Sequence, residues 1–185
     1  MPRGLWSKAG VAWLRAHPFA SELDAVQRDI LAERYESLSR MLHRAEGVLN
    51  QMAEASPGVR LLRTIPGVGV RTGEAVVAYM DDPRRFSRNK SVGTYFGLVP
   101  CQDASAGKNR FGRITREGPA TVRRLLVQAA WQAIRRSPEA RAFFERVQHD
   151  DPERKKKAIV ATAHYLVRAM HAMLRSGEAW CTPAA

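Results

Sequence analysis

Cysteine is scarce in this sequence, and that scarcity argues against two classes of small protein. The 185 residues include only two cysteines, Cys101 and Cys181, which stand far apart and belong to no CxxC pair. A disulfide framework and a structural zinc site both need more cysteine or histidine ligands at close spacing. We therefore expect two free thiols and no metal site in this chain.

Long apolar runs are missing as well. No run approaches the ~20 residues of a membrane-spanning helix, so a membrane partner is not expected. The first ten residues carry Arg3 and Lys8 but lack the apolar segment of a secretory signal, which makes a reducing cytoplasm the default location. Hydrophobic residues still make up 45% of the chain, enough for one compact domain with an appended element.

Acidic residues are in the minority. There are 30 lysines and arginines against 18 aspartates and glutamates, a formal net charge of +12. This balance favours a polyanionic partner through Coulomb attraction and counterion release, so DNA or RNA is the expected partner. The carboxylates of the basic half show no recognisable Mg²⁺ pattern, and a complete metal nuclease is therefore not expected; they are Asp81, Asp82, Asp103 and Glu117.

Proline is absent from residues 21–52, and this stretch predicts one long helix. Its apolar side chains recur at alternating steps of four and three, the a/d seam of a coiled coil. The stripe packs either on its own domain or on a partner helix, and the pattern leaves both alternatives open. The seam consists of Leu31, Tyr35, Leu38, Leu42, Ala45, Leu49 and Met52.

A glycine-rich turn follows this helix. Residues 59–65 predict a short helix, and the letters PGVG at 66–69 precede a second apolar stretch, so the arrangement resembles a helix-hairpin-helix. Gly67 and Gly69 allow a backbone with positive φ and a close approach to a ligand. A phosphate can bind the N–H groups of the following helix's first turn. Gly67, Gly69 and Arg71 are therefore candidate nucleic-acid contacts, with a plain helix–helix turn as the alternative.

Residues 100–118 predict a basic loop of about twenty residues, and long loops inside compact domains are usually functional. Two further arginines open the helix predicted over residues 121–135. Together these cations are candidate nucleic-acid contacts: Lys108, Arg110, Arg113, Arg116, Arg123 and Arg124.

Ser105 lies among small residues of this loop, just upstream of its cations. A serine hydroxyl in that position can attack a phosphodiester. Lys108, Arg110 and Arg113 can neutralise the charge that grows on the phosphorus oxygens. An ordinary turn serine is the alternative, and spacing alone leaves it open.

Two more helices are predicted downstream, over residues 139–148 and 158–175, the last preceded by four consecutive cations at 154–157. The alternation of strands and helices needed for a doubly wound sheet is missing. The predicted fold is thus mainly α: residues 1–20 precede a coiled-coil helix at 21–57, and residues 58–180 form a helical domain with the hairpin and the long basic loop.

In their order, several motifs resemble the C-terminal half of insertion-sequence transposases of the "one-ten" group. Segments at both ends of the chain are also similar, so the resemblance covers essentially all of it. The motifs are IPGVG at 65–69, Phe86, YFGLVP at 95–100, SAGK at 105–108, GRI at 112–114 and RRLL at 123–126.

The resemblance implies a bacterial, nucleoid-associated protein in which Ser105 forms a covalent phosphoserine link to a cut DNA strand. It also implies homo-oligomers joined by the coiled coil, a bridging guide RNA, and an N-terminal RuvC-like domain whose acidic residues bind Mg²⁺. Because Met1 lies close to the coiled coil, we expect this chain to lack that domain and to be inactive alone. Ala106 and Pro119 depart from the glycine and asparagine that the family usually has at these positions.

A different class of function remains as the alternative. In it, the chain is a non-catalytic module that binds DNA through the helix-hairpin-helix or joins transposase protomers, and Ser105 has no chemical part.

Overall fold

The computed structural model describes residues 4–105 and 108–181, with the backbone alone at 103–105 and 108–111. Most of the described chain is helical, so the prediction of a mainly α fold is confirmed. The helices and strands, in chain order, are α1 Lys8–Ala16, α2 Glu22–Ala55, α3 Pro57–Leu62, α4 Val70–Met80, α5 Asn89–Tyr95, β1 Pro100–Ser105, β2 Lys108–Ile114, α6 Ala120–Arg136, α7 Pro138–Gln148 and α8 Lys155–Ser176.

The long helix predicted from residue 21 is α2, and it ends at Ala55, two residues before the predicted end of the coiled-coil helix at residue 57. Ser56 then caps α3, its hydroxyl accepting a hydrogen bond from the Val59 amide at 3.4 Å. Pro57 occupies the first turn of α3, where a proline loses no helical hydrogen bond. The proline therefore opens the next helix, which begins two residues before the predicted start.

A two-stranded antiparallel hairpin replaces the loop predicted over residues 100–118. Pro100 pairs with Ile114 and Gln102 with Phe111, so Cys101 faces two residues of β2 in a bulge. The prediction of a structureless loop is wrong at these residues, because the backbone groups of the two strands satisfy one another in a ladder. We call residues 100–114 the arm.

The chain divides between Met52 and Ala53 into two compact units. In the first unit, α2 contacts both α1 and the segment before it: Arg15 of α1 pairs with Glu36 at 3.0 Å, and the Tyr35 hydroxyl donates to the Trp6 carbonyl at 2.6 Å. Farther along α2 the predicted seam is exposed, with Leu42 at 58% and Met52 at 64%. Pairing of this seam with another helix stays a prediction, as do the predicted domain boundaries.

The second unit has a core built around α8, whose buried residues include Leu166 and Met170. His171 lies fully inside this core. Its Nε2 donates to the Pro83 carbonyl at 2.9 Å, and its Nδ1 lies 2.9 Å from the Asn89 Oδ1. Because these bonds tie α8 to Pro83 and to the first residue of α5, His171 is a structural histidine.

None of the helices in the described ranges is long and apolar enough to cross a membrane.

Candidate nucleic-acid interface

The turn between α3 and α4 contains two glycines with different roles. Gly67 has a φ of +92°, and a Cβ built there would lie 2.4 Å from the backbone nitrogen of Ala133 in α6. No real Cβ tolerates that distance to backbone. Gly67 therefore lets the turn pack against α6, which is a structural requirement independent of any ligand.

Gly69 stands in open space. It caps α4 with an ordinary extended backbone, and a Cβ built there would meet nothing within 4 Å. The N-terminal end of α4 thus carries exposed backbone at its cap, the geometry that suits an anion. Arg71, in the first turn, pairs with Glu74 at 2.8 Å, so part of its charge is already compensated.

At the base of the arm, the segment that follows α5 lies directly against the segment that precedes α6. Gly97, after α5, has a φ of +65°, and its Cβ would lie 2.2 Å from the Glu117 carbonyl oxygen. Gly118 has a φ of +73°, and its Cβ would lie 2.1 Å from the Tyr95 carbonyl oxygen. Both positions need glycine, because the conformation and the close approach each disfavour a side chain.

Arg123 holds this contact from α6. Its Nη1 donates to the Glu117 carbonyl at 2.7 Å and lies 3.3 Å from the carbonyls of Phe96 and Gly118. The guanidinium thus joins the end of α5 to the segment that returns from the arm. Arg124, its neighbour in the same helix, is exposed.

The arm carries the positions of the predicted chemistry. The ladder pairs Ser105 with Lys108 and Asp103 with Arg110. Directly paired positions and positions two apart lie on the same side of a ladder, so these four positions share one side of the arm. The side chains themselves lie outside the described part of the structure, and the predicted motif residues Ala106 and Gly107 lie outside the described residues.

Near its base the arm faces solvent on both sides. Cys101 and Gln102 are adjacent in β1 and therefore point to opposite sides, yet both are exposed. Arg113 is exposed in β2, and Arg116 is exposed just beyond it with a φ of +58°. Within the described ranges, the side chains of Arg113, Arg116 and Arg124 make no hydrogen bond or ion pair, which leaves these three cations available to an anionic partner.

The structure thus sorts the predicted contacts by their surroundings. Arg113, Arg116, Arg124 and the cap at Gly69 are accessible, Arg71 is partly compensated, and Gly67 and Arg123 have structural partners. Sequence reasoning missed the contact between the segments of Gly97 and Gly118. The only signal in the sequence was the glycine in each segment, and nothing local indicated that the two would meet.

A metal centre is not apparent in the described residues, where no group of three or more histidine, cysteine, aspartate or glutamate side chains is placed to hold an ion.

The proteins most informative for comparison are transposases of insertion sequences. A putative transposase (y4pF/y4sB) of Sinorhizobium fredii is 28% identical over 172 residues, which cover 90% of this chain and 44% of that protein. The transposase for insertion sequence element IS1328 of Yersinia enterocolitica is 34% identical over 100 residues, covering 54% of this chain and 28% of that protein. The chain therefore spans less than half the length of these relatives.

A family-level match points the same way. Residues 59–145 match the transposase family described as IS116/IS110/IS902. This range runs from α3 through the glycine turn, the arm and α6 into α7. The predicted resemblance is confirmed: the chain is similar to the C-terminal half of transposases of the IS110 type.

Proposed function

We propose that this chain is the DNA-binding, serine-bearing half of an insertion-sequence transposase and that the arm delivers Ser105 to a DNA phosphodiester. The observation that carries the proposal is the pairing of Ser105 with Lys108 at the end of the ladder, beside the pairing of Asp103 with Arg110. A hydroxyl and two cations thereby occupy neighbouring positions on one side of an arm whose base is fixed.

In the proposed reaction the Ser105 Oγ attacks phosphorus and forms an Oγ–P bond. The bond from phosphorus to the leaving sugar oxygen breaks, and the hydroxyl proton is passed on so that the leaving oxygen is protonated. Positive charge near the phosphorus oxygens stabilises the charge that they gain in the transition state. Lys108 and Arg110 occupy the positions from which such charge would act.

The DNA itself is proposed to lie along the accessible cations. Arg113 and Arg116 follow the arm toward its base, and Arg124 lies on α6, the helix whose Arg123 clamps the same segment. Arginines bind phosphate oxygens in a bidentate manner, and each contact releases counterions from the duplex. The cap at Gly69 offers backbone N–H groups for one more phosphate.

In this proposal, divalent metal is bound by a different domain of the transposase. The Mg²⁺ that the resemblance implies would be held by the acidic residues of a RuvC-like domain, where it would supply Lewis-acid activation of the same phosphodiester.

The test is covalent capture of DNA. The chain is combined with the RuvC-like domain of a transposase from the same family and with end-labelled DNA, and the protein–DNA adduct is measured on a denaturing gel. We expect Ser105→Ala to abolish the adduct and to leave duplex affinity unchanged, because it removes one hydroxyl and no charge.

Ser87→Ala is the matched control, since Ser87 is an exposed serine of the same unit. It should form the adduct at the level of the unaltered chain. Undiminished adduct with Ser105→Ala would refute the role of Ser105 and favour a non-catalytic DNA-binding module.

A second part of the proposal concerns assembly. The exposed seam from Leu38 to Met52 is apolar over two heptads, and exposed seams of this kind pair in coiled coils. We propose a second copy of the chain as its partner, which would join protomers so that the arm of one chain and an acidic domain of another act together. A bridging guide RNA is the further partner that the resemblance implies.

A further inference from the structure

Arg85 lies on a platform of two aromatic rings. Its guanidinium carbon is 4.9 Å from the ring centroid of Phe86 and 4.7 Å from that of Tyr95. The rings meet edge to face at 5.3 Å, and the Tyr95 hydroxyl donates to the Tyr79 carbonyl at 3.1 Å. The two rings therefore restrict the exposed Arg85 side chain before any ligand binds. Binding through Arg85 then costs less side-chain entropy than binding through an unrestrained arginine would.

Three other cations surround this arginine in the sequence: Arg84, Arg88 and Lys90, all exposed. In the part of the chain that the structure describes, none of the four side chains makes a hydrogen bond or an ion pair. Asp82 lies close by, but its carboxylate accepts the backbone N–H of Arg84 at 2.8 Å and caps the short turn there. We call Arg84, Arg85, Arg88 and Lys90 the platform patch.

Tyr95 connects this patch to the arm. Its ring supports Arg85, and its carbonyl oxygen is the atom that a Cβ at Gly118 would strike at 2.1 Å. Tyr95 therefore contacts both Arg85 of the platform patch and the base of the arm, which places the patch next to that base.

We propose that the platform patch is a second phosphate-binding site, which grips the backbone of the same duplex DNA that the arm attacks. This inference rests on the proposed function. A guanidinium held by cation–π contacts still has N–H groups that can bind two phosphate oxygens, and the proposed site reads no base. Its task is to hold the duplex while Ser105 reacts.

The salt dependence of DNA affinity tests this site in the full chain. The probe is a ~30 base-pair DNA duplex, and each lost phosphate contact lowers the slope of log affinity against log salt by about 0.9. Arg85→Ala with Arg88→Ala should therefore lower the slope by about 1.8. The loss of affinity between about 50 and about 200 mM salt then becomes about twelvefold smaller.

A control pair and a substitute pair complete the experiment. Arg135→Ala with Arg136→Ala removes two exposed arginines at the far end of α6 and should leave the slope unchanged. Thermal unfolding checks that the platform survives. If Arg85→Ala lowers the Tm, Arg88→Ala with Lys90→Ala tests the same patch without altering the ring contacts.

The outcomes separate this inference from the proposed function. If the pair Arg113→Ala with Arg116→Ala, at the end of the arm and just beyond it, lowers the slope and the patch variants do not, the platform patch is refuted and the proposed function stands. If the chain binds no duplex, both fail. If the patch variants change the salt slope with an RNA duplex but not with the DNA duplex, the assignment to DNA is overturned and the guide RNA becomes the partner of this site.

Discussion

Arg123 and Arg124 are adjacent in α6, and both were candidate DNA contacts in the sequence, yet the structure gives them different surroundings. Arg123 is half-buried and donates to the Glu117 carbonyl at 2.7 Å. Hydrogen bonds from charged groups contribute about 1.5–3 kcal/mol, and partial exposure favours the lower end. Its two contacts at 3.3 Å are longer than usual for N–H···O bonds and add little. Arg123→Ala should thus cost about 1.5 kcal/mol.

That cost corresponds to a fall in Tm of about 3–6 °C for a chain of this size. Arg124→Ala should leave the Tm unchanged, because its exposed side chain makes no described bond within the protein. The DNA-binding data should show the reverse pattern. Arg124→Ala should lower the salt slope by about 0.9, and Arg123→Ala should leave it unchanged.

Circular dichroism melts and fluorescence anisotropy titrations on the same protein preparations measure both quantities. The reasoning is refuted if Arg123→Ala retains the Tm and lowers the salt slope, since its guanidinium would then bind phosphate and not the arm's base. Equal effects of the two variants on the Tm would show that the contact between the end of α5 and the segment after the arm does not depend on Arg123.

Three other predictions concern other parts of the molecule. Gly118→Ala should lower the Tm by several degrees, because the left-handed conformation alone costs about 1–2 kcal/mol and the new Cβ would lie 2.1 Å from a backbone oxygen. Gly112→Ala is the control, since a Cβ there makes an ordinary contact at 3.8 Å. Equal Tm values for the two variants would contradict this prediction. Leu42→Lys should convert the proposed dimer to a monomer in sedimentation, while Gln51→Lys, off the seam, should not. An unchanged mass for Leu42→Lys would exclude the seam as the dimer contact. Burial lowers the pKa of His164, so its protonation favours the unfolded state, whose histidine pKa is about 6.5. This stability is fully present above the unfolded-state pKa and is lost as the pH falls from there through the lower folded-state pKa. His164→Leu should flatten this fall in Tm, and an unaltered pH profile would disprove the prediction.

The helices could be predicted because their signals are local. The period of apolar residues along α2, α6 and α8 and the break at Pro57 are visible in the sequence, and the structure agrees to within a few residues. Helix boundaries shifted where a capping residue decided them, as Ser56 does for α3.

The arm could not be predicted in the same way. Residues 100–114 have few β-branched or aromatic side chains and no regular alternation, so the usual strand signal is absent. The two strands are stabilised by their hydrogen-bonded pairing with each other, and a bulge at Cys101 interrupts that pairing. The sequence identified the cations and the serine, but not their arrangement on paired strands.

The roles of Gly67 and Arg123 depend on distant neighbours. Gly67 meets Ala133, and Arg123 meets Phe96, contacts that no local pattern encodes. Glycine in a turn and arginine in a basic segment are compatible with both ligand binding and packing. Only the tertiary contacts distinguish these roles, and here they favour packing for both residues.

Tyr95 is the residue through which the arm and the platform patch are linked. Its carbonyl side abuts Gly118 at the arm's base, and its ring supports Arg85. We expect a backbone shift at Gly118 to displace Tyr95, and with it both the direction of the arm and the position of Arg85. A duplex held at the patch would therefore meet the arm at a defined angle. This coupling predicts that Gly118→Ala weakens DNA binding at the patch as well as attack by Ser105, although Gly118 itself touches neither phosphate nor serine in the proposed complex.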